Sequence, residues 1–508
     1  MYSLINSMGL TGLNAFPVFV EMDVSRGTPS FDIIGLADVV VKESRERIRA
    51  ALRAAQIQFP VARVVVNLAP ADTKKTGSVH DLAIFAAMLI ITGSIRSYVL
   101  DSAFIGELSL NGEVRGVNGV LPMVIAAKKH GLKKVYVPAI NAHEASVVEG
   151  IEVYGVKNTA QLIRHFEGIE SIIPEKPYRV KPEERFETLD FADVKGQPLA
   201  KKSLELAAAG SHNVLMIGTP GSGKSMLAKR ITTILPAMTF EESIETTNIH
   251  SICGLLDPEM PLVTRRPFRS PHHTISPAGL SGGGSVPHPG EISLANNGVL
   301  FLDELAEFSR NTLEILRQPL EDKKVTISRA SGTVTYPCTF MLIAAMNPCP
   351  CGYYGSKEHE CRCTQKQISS YVSKISGPML DRFDIHCRVN PVDFASISSV
   401  KKEESSAAIR ERVQRAREIQ NQRYKGTGIT CNAAIDDSII NDVCVLTPGA
   451  REALRDVFDK LGLSARGYNR ILKLSRTIAD MAGSEVIERN HLTAAVQFRS
   501  LDRQFWGK

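Results

Sequence analysis

The stretch that decides the fold is residues 213–225, which read NVLMIGTPGSGKS. The apolar run predicts a buried strand, and the glycine-rich run after it predicts a tight loop that opens the helix MLAKRITTIL. Backbone N–H groups of such a loop surround phosphates, while its lysine supplies a cation and its serine a hydroxyl for Mg²⁺. The sequence therefore predicts a phosphate cradle made of Gly218, Thr219, Pro220, Gly221, Ser222, Gly223, Lys224 and Ser225.

A second apolar strand, VLFL at 299–302, is followed directly by two carboxylates. Parallel strands place their carboxyl ends at one edge of a sheet, which is where α/β sites lie. We expect Asp303 to hold Mg²⁺ and Glu304 to polarise an attacking water. Asn347 ends the strand MLIAAM, where its amide can hold that water, although an Asn before Pro is by itself a common turn.

Arginines further along the chain are candidates for sensing the phosphates. Arg382, in LDRFD, is a candidate arginine finger that reaches the terminal phosphate of a neighbouring subunit. Its alternative role is an ion pair with Asp381 or Asp384. Arg466, early in SARGYNRILKLSRTIADM, would report the nucleotide state, with Arg470 one turn on as the competitor.

Length and composition bound the class of protein. The chain has 508 residues and a formal net charge of +6, which suggests about three domains and permits nucleic-acid binding without requiring it. Hydrophobic content of 44% with 22% charged residues excludes a disordered chain. The longest apolar stretch, 82–92, is about half a membrane span, and no secretory signal is visible, so we expect no membrane segment. Nine cysteines, four of them clustered, favour a reducing cytoplasm.

The chain predicts an α/β protein of several domains. Residues 1–172 alternate strands and helices, as do residues 188–392, which carry the phosphate cradle. A Pro-rich and charged linker at 173–187 separates these two domains. Residues 393–508 read as mostly helical.

Together these motifs resemble the AAA+ ATPases, and FADVKGQ at 191–197 looks like their segment that borders the adenine. HPGEISLANNGVLFLDEL, AAMNPCPCG and SGPMLDRFD are similar to the magnesium-chelatase-like subgroup, and in particular to the YifB/ComM family, over essentially the whole chain. The resemblance implies an αβα P-loop core, a helical C-terminal lid, and ATP and Mg²⁺ as ligands. It also implies a homo-oligomeric, hexameric ring in which Arg382 serves the nucleotide of a neighbouring subunit.

The N-terminal domain is similar to the proteolytic domain of Lon, on GELSLNGEV at 106–114 and VLPMVIAAKKHGLKKVYVP at 120–138. Lon proteases use a Ser–Lys dyad in which the lysine activates the serine. The serine position here is Val79 and the lysine position is Leu121, while Ser78 is offset by one residue. We expect a Lon-protease-like α/β domain without proteolysis, with residual hydrolase activity as the alternative.

Four cysteines follow Asn347 in the sequence as two C-x-C pairs separated by nine residues. Four thiolates in a short loop suit a tetrahedral, structural Zn²⁺, and His359 could replace one of them. The alternative is a loop of reduced cysteines. The candidate ligands are Cys349, Cys351, Cys361 and Cys363.

Two basic segments are candidates for contacting the substrate on which an ATP-driven ring would act. TRRPFRSPHH at 264–273 precedes the second phosphate-site strand, and EDKKVTISR at 321–329 looks like part of a hairpin. In related ring helicases such elements line the central pore, so these segments would follow a DNA backbone without sequence preference. A solvated face or a subunit contact is the alternative. The residues concerned are Lys323, Lys324, Arg329, Arg265, Arg266 and Arg269.

Three functions follow. The first, implied by the family resemblance, is an ATP-driven DNA translocase, a branch-migration helicase of natural transformation or recombination. The second is a chelatase-type motor that remodels a protein partner, and the third is an ATP-switched scaffold.

Overall fold

The computed structural model describes residues 1–95, 99–179, 189–284, 287–329, 332–356, 359–394, 398, 403–461 and 463–499. The chain divides into two compact units. Unit 1 comprises Met1–Glu183 and Phe240–Thr264, and unit 2 comprises Glu184–Thr239 and Arg265–Lys508. Residues 180–187 of the expected linker lie outside the described part of the chain.

Unit 1 is built on a mixed sheet. Its strands are β1 (Tyr2–Thr11), β2 (Asn14–Ser25), β3 (Ser30–Ile34), β4 (Arg63–Ala69), β5 (Ser102–Phe104), β6 (Glu107–Leu108), β7 (Val114–Arg115), β8 (Lys134–Pro138) and β9 (Glu152–Val156). Within the described residues the main sheet runs β3-β4-β2-β1-β5-β8-β9, with β6 and β7 paired separately. β1 pairs antiparallel with β2 and parallel with β5. Alternate residues of β4 are buried, as expected for a strand with one face on the core.

Helices of unit 1 cover this sheet, and Phe240–Ile252 packs against the helix Val120–Lys129. They are Val39–Ala54, Asp81–Ile91, Val120–Lys129, Ala142–Ala145, Thr159–Phe166 and Phe240–Ile252. The apolar stretch at 82–92 lies in Asp81–Ile91, which is buried almost along its whole length in the core of the unit. Among the residues described, we find no helix with the length and apolar character that a membrane span needs.

A buried carboxylate ties residues 240–264 into unit 1. The hydroxyl of Ser251 donates to Glu144, which also accepts from the backbone N–H of Leu121 at 2.9 Å and from Asn141 Nδ2 at 3.0 Å. Burial raises the pKa of Glu144, and these hydrogen bonds oppose the rise. Leu262 packs beside Leu121. This segment, which interrupts unit 2 in sequence, is therefore part of the core of unit 1.

Unit 2 contains a parallel sheet. Its strands are β10 (Val214–Gly218), β11 (Phe268–Arg269), β12 (Gly282–Gly283), β13 (His288–Pro289), β14 (Val299–Leu302), β15 (Lys324–Arg329), β16 (Gly332–Pro337), β17 (Met341–Met346) and β18 (Ile385–Val389). The five parallel strands run β11-β14-β17-β10-β18 among the residues described. β10, β14 and β17 are buried at every residue, which explains their continuous apolar sequences. β15 and β16 form the expected hairpin.

The α-helices of unit 2 lie around this sheet and dominate its C-terminal part. They are Pro198–Gly210, Lys224–Arg230, Pro277–Ser281, Glu291–Leu294, Arg310–Ile315, Arg317–Asp322, Gln365–Val372, Gly377–Leu380, Ser406–Arg423, Ile440–Val443, Pro448–Leu461, Ala465–Met481 and Arg489–Gln497. The predicted helical character of the C-terminal region is confirmed for its described residues. Its core includes Arg476, fully buried, whose Nε donates to Asp480 at 3.1 Å.

Asn213 joins three elements at the amino end of β10. Its Nδ2 donates to the carbonyl of Arg382 at 2.8 Å, and its Oδ1 accepts from the N–H of Leu342 at the start of β17 at 2.8 Å. Its own N–H donates to Asp384 at 3.1 Å. One side chain therefore fixes the loop of Arg382 against the central strands.

We expect Asn213→Ala to destabilise unit 2 by about 2 kcal/mol, because two side-chain hydrogen bonds of about 1 kcal/mol each are lost. The thermal midpoint of that unit should fall by about 4–8 °C, as measured by calorimetry. Asn311→Ala is the matched control, since Asn311 lies exposed on a helix of the same unit. Equal midpoints for the two variants would show that the Asn213 contacts do not support the fold.

Candidate active site

The glycine-rich loop follows β10 at the carboxyl edge of the parallel sheet. It turns into the helix Lys224–Arg230 at Gly223, whose φ of 91° is a backbone conformation that favours glycine. The hydroxyls of Thr219 and Ser222 are buried, and neither has a hydrogen-bond partner among the residues described. Because a buried hydroxyl without a partner is costly, these two groups fit a ligand that supplies acceptor oxygens.

Lys224 occupies the cradle. Its ammonium donates to the carbonyls of Gly218 and Thr219 at 2.7 and 2.9 Å and to Asn347 Oδ1 at 3.2 Å. Burial lowers the pKa of Lys224 to about 8, and the carboxylates of Asp303 and Glu304 oppose that shift. An incoming phosphate would stabilise the charged form in the same way, so the site favours an anion beside this lysine.

The two carboxylates lie where β14 ends. Ser225 Oγ donates to Asp303 Oδ2 at 2.6 Å, which brings a hydroxyl and a carboxylate together as the hard oxygen ligands that Mg²⁺ prefers. Glu304 is exposed and has a φ of 52°, an uncommon conformation for a residue with a side chain. The fold thus assembles Lys224, Asn347 and the Ser225–Asp303 pair at one sheet edge.

His273 is a neighbour of Glu304 that sequence reasoning missed. Its Nδ1 lies 3.4 Å from Glu304 Oε2, and its ring lies against His272 with centroids 4.1 Å apart. The sequence shows His273 only as part of a basic run, and its spacing from Glu304 carries no signal. The contact arises because residues 270–273 follow β11, which pairs with β14.

Arg382 lies at the opposite end of the central strand. Asn213, which binds its carbonyl, precedes β10, whereas the cradle follows it. Five residues of strand separate these points by about 16 Å. The side chain of Arg382 is 9% exposed, and its guanidinium pairs with Glu321 of the same chain. Within one chain, Arg382 therefore does not join the cradle.

The structure distinguishes the two further arginines. Arg466 is exposed in the first turn of Ala465–Met481. Arg470 is largely buried, with Nη1 3.6 Å from Asp381 Oδ1 and Nε 3.8 Å from Asp384 Oδ1. The two acids that flank Arg382 therefore face Arg470.

A cavity of about 400 Å³ lies beside the glycine-rich loop. One wall comes from the segment predicted to border the adenine, including Val194 and Gln197. Gln197 Nε2 also donates to the carbonyl of Ser222 at 3.2 Å. Tyr353 and His359, from the loop that carries the cysteines, line the cavity as well.

The four cysteines form one cluster. The sulfur atoms of Cys349, Cys351, Cys361 and Cys363 all lie within 4.8 Å of one another, and three of their separations are 3.3, 3.6 and 3.7 Å. A tetrahedral zinc with Zn–S bonds near 2.3 Å needs S···S edges of about 3.8 Å. The set fits that ion, and exposed His359 is not part of it.

One of these thiols is poised to ionise. Burial acts to raise the pKa of Cys351, but hydrogen bonds from the backbone N–H groups of Tyr353 and Arg362 and from the thiols of Cys349 and Cys363 together lower that pKa to about 6. The thiolate is the form that binds a metal.

The side chains at and beside the positions predicted for a Lon dyad contact other groups of the same unit. Ser78 donates its hydroxyl to Glu107, and Leu121 is fully buried beside Leu262. Lys75 is also buried and donates to the carbonyl of Pro70.

The basic segments differ from each other. Arg266 donates to the backbone carbonyls of Pro236 and Asn297 at 2.8 and 2.7 Å, and Arg269 forms two 2.7 Å bonds with Glu291. These two arginines hold their own unit together, so internal contacts take up the donors expected to bind phosphates. The hairpin differs, because its residues Lys323, Lys324 and Arg329 are exposed.

Comparisons with known proteins agree with this architecture. Family models described as magnesium chelatase subunit ChlI match residues 190–397 and 20–141, and the model of its C-terminal part matches residues 403–499. The chain is 40% identical to competence protein ComM of Haemophilus influenzae, over 99% of this chain and 98% of that protein. It is 40% identical to YifB of Escherichia coli, over 99% and 97% of the two chains.

A weaker similarity is found to Lon protease of Mycolicibacterium smegmatis, 26% identical over 31% of this chain and 21% of that protein. The full-length matches and the P-loop sheet with its helical C-terminal part agree with the expectation from the motifs. The chain belongs to the magnesium-chelatase-like YifB/ComM family of AAA+ proteins.

Proposed function

We propose that this protein is an ATP-hydrolysing ring motor that acts on DNA. The observation that carries the ATPase assignment is the meeting of Lys224, Asn347 and the Ser225–Asp303 pair at the glycine-rich loop. Two buried hydroxyls of that loop have no partner in the described part of the chain. That set supplies a cation, an amide and hard oxygen ligands, which are the groups that bind a nucleoside triphosphate and its Mg²⁺.

Each residue has a distinct role in hydrolysis. Lys224 and the N–H groups of the loop bind the β- and γ-phosphates. Ser225 and Asp303 would hold Mg²⁺, which when bound would neutralise part of the phosphate charge. Glu304 orients the water that attacks the γ-phosphorus as the bond to the β-phosphate oxygen breaks. Asn347 positions the same water. The 400 Å³ cavity beside Val194 and Gln197 would take the adenosine.

The arginine finger is supplied by a second copy of the chain. The separation of Arg382 from the cradle, by the length of β10, supports this role in trans. A homo-hexameric ring, as in the AAA+ family, would bring the finger of one subunit to the cradle of the next. Arg466, exposed at its helix start, is the sensor candidate that remains open to a ligand. Arg470 holds the loop of Arg382 through Asp381 and Asp384.

DNA is the proposed substrate of the motor. The relative named competence protein ComM, matched along its whole length, points to natural transformation. The hairpin formed by β15 and β16 exposes Lys323, Lys324 and Arg329 for phosphate contacts. Branch migration or unwinding of a forked substrate is the proposed reaction, in the cytoplasm where its thiols stay reduced.

The other two elements have supporting roles. The N-terminal Lon-like unit is proposed to be non-proteolytic, because Val79 and Leu121 stand at the dyad positions and Ser78 is engaged by Glu107. The four cysteines are proposed to hold a structural Zn²⁺, which fits their sulfur separations.

A chelatase-type motor that remodels a protein partner is the second candidate. The family models that match the chain are described as subunits of magnesium chelatase, which favours it. Stimulation of ATP hydrolysis by single-stranded, duplex or branched DNA supports the DNA motor, whereas stimulation by a protein partner alone supports the second candidate.

Replacement of the catalytic carboxylate tests the ATPase site. Glu304→Gln should lower the rate of ATP hydrolysis at least about a hundredfold, because an amide cannot act as the base, while nucleotide binding persists. Lys224→Ala should abolish both. Glu307→Gln, three residues along and exposed, is the matched control and should keep the wild-type rate. A steady-state phosphate-release assay gives the rates, and wild-type turnover by Glu304→Gln would refute the assignment.

The hairpin predicts a measurable salt dependence. Lys323→Ala/Lys324→Ala should weaken DNA binding and reduce the slope of log K against log salt by about 1.4–1.8, because each lost phosphate contact contributes about 0.7–0.9. Fluorescence anisotropy with single-stranded and forked DNA at several salt concentrations measures this slope. Lys129→Ala/Lys133→Ala removes the same charge from exposed positions of unit 1 and should leave the slope unchanged. An unaltered slope in the hairpin variant would exclude these lysines as DNA contacts.

A further inference from the structure

The loop that carries the four cysteines touches the phosphate cradle directly. Gly352, between Cys351 and Tyr353, has a φ of 86°, and a Cβ placed on it would lie 2.6 Å from Cδ of Pro220 in the glycine-rich loop. Gly352 therefore packs against the cradle with no space for a side chain. The two loops can shift independently only by losing this contact.

The sulfur atoms organise the same turn. The N–H of Gly352 donates to the carbonyl of Cys349 at 2.9 Å, and the N–H of Tyr354 donates to Cys349 Sγ at 3.3 Å. Cys349 also follows Asn347 by two residues. One side of the four-sulfur cluster is thus continuous with the end of β17, which supplies the amide of the active site.

The other side of the loop forms a wall of the nucleotide cavity. Tyr353, Ser356 and His359 line it together with the glycine-rich loop. The rings of Tyr353 and His359 are in contact, with centroids 4.9 Å apart and planes tilted by 56°. Two aromatic faces beside a phosphate cradle are suited to an aromatic base. The wall is anchored at its far end by Arg388 of β18, which donates to the carbonyl of Gly355 at 2.7 Å.

We propose that binding of a soft divalent metal by Cys349, Cys351, Cys361 and Cys363 and binding of nucleotide by the cradle are thermodynamically linked. The link is the wall made of Gly352, which packs on Pro220, and the cavity-lining residues Tyr353, Ser356 and His359. The metal closes the loop and fixes this wall against Pro220. Loss of the metal releases the loop and weakens nucleotide binding. Because linkage is reciprocal, bound nucleotide slows the loss of the metal by the same free energy. This inference rests on the proposed ATP site and gives the structural metal an effect on nucleotide affinity.

The test uses the full chain, loaded with one equivalent of Zn²⁺ or stripped with a chelator, and fluorescent ADP as the probe. We expect the dissociation constant to rise about tenfold on stripping and to return when Zn²⁺ is added back. ADP should slow the release of zinc to a chromogenic chelator. Circular dichroism of the stripped chain shows whether the fold as a whole is retained.

Two variants separate the metal from the wall. Cys361→Ser should lose the metal and weaken ADP binding as stripping does, whereas Cys253→Ser, a thiol outside the cluster, should change neither. Gly352→Ala keeps the four thiols but places a methyl group against Pro220, so it should retain zinc and still bind ADP more weakly.

The outcomes are distinguishable from a failure of the ATP site itself. If zinc-loaded wild type and Lys224→Ala bind ADP equally, the proposed function fails. If wild type binds ADP and Lys224→Ala does not, but stripped and loaded chains have equal affinity, the linkage alone is refuted. A full-length chain that takes up no zinc refutes it as well.

Discussion

The central strand β10 imposes the constraint on which the rest of unit 2 depends. Its carboxyl end opens into the phosphate cradle, and its amino end begins at Asn213, which binds the loop of Arg382. The two ends of β10 are separated by the length of the strand, about 16 Å, so the backbone of Arg382 is held at the end of the sheet opposite the cradle of its own chain. Under the proposed function, this separation makes assembly a requirement for hydrolysis.

A polar path connects the helical part of unit 2 to the same loop. Thr477, in Ala465–Met481, bonds to His212 Nε2 at 2.7 Å, and His212 Nδ1 lies 3.4 Å from Asp384. Asp384 is also near Arg470, and these neighbours with Asn213 hold the pKa of its carboxyl at about 2 although burial acts to raise it. The loop of Arg382 is therefore held from the sheet and from the helical region together. Under the proposed function, movement of that helix would be passed to Arg382 through these contacts.

Much of unit 2 could be predicted from its sequence because the deciding signals are local. Continuous apolar runs predicted the strands β10, β14 and β17. The residues directly after these runs predicted the site, which consists of the loop with Lys224, Asp303 and Asn347. In unit 1, the amphipathic stretch SRERIRAALRAA at 44–55 predicts a helix, but the helix in the structure begins earlier, at Val39, where Asp38 accepts a hydrogen bond from the N–H of Val41. A cap that lies six residues before the amphipathic stretch is easily missed.

The remaining features depend on residues that are distant in sequence. His273 reaches Glu304 only because β11 pairs with β14, and Gly352 meets Pro220 only in the folded sheet. Residues 240–264 belong to unit 1, where they pack near Glu144 and Leu121. The hydrophobic pattern of that segment does not predict which domain it joins. Arg266 and Arg269 read as a basic run, yet backbone carbonyls and Glu291 engage them. A basic run in the sequence therefore does not show whether its side chains bind a ligand or other groups of the same chain.

The most direct test of the account mixes two inactive variants. Arg382→Ala keeps an intact cradle, and Glu304→Gln keeps an intact arginine finger. In an equal mixture, about a quarter of the subunit interfaces would combine an intact cradle with an intact finger. The account predicts that ATP hydrolysis, measured after the two proteins are combined and allowed to exchange subunits, rises well above the sum of the separate variants. A mixture that stays at that sum, although labelled subunits are seen to exchange, would contradict it.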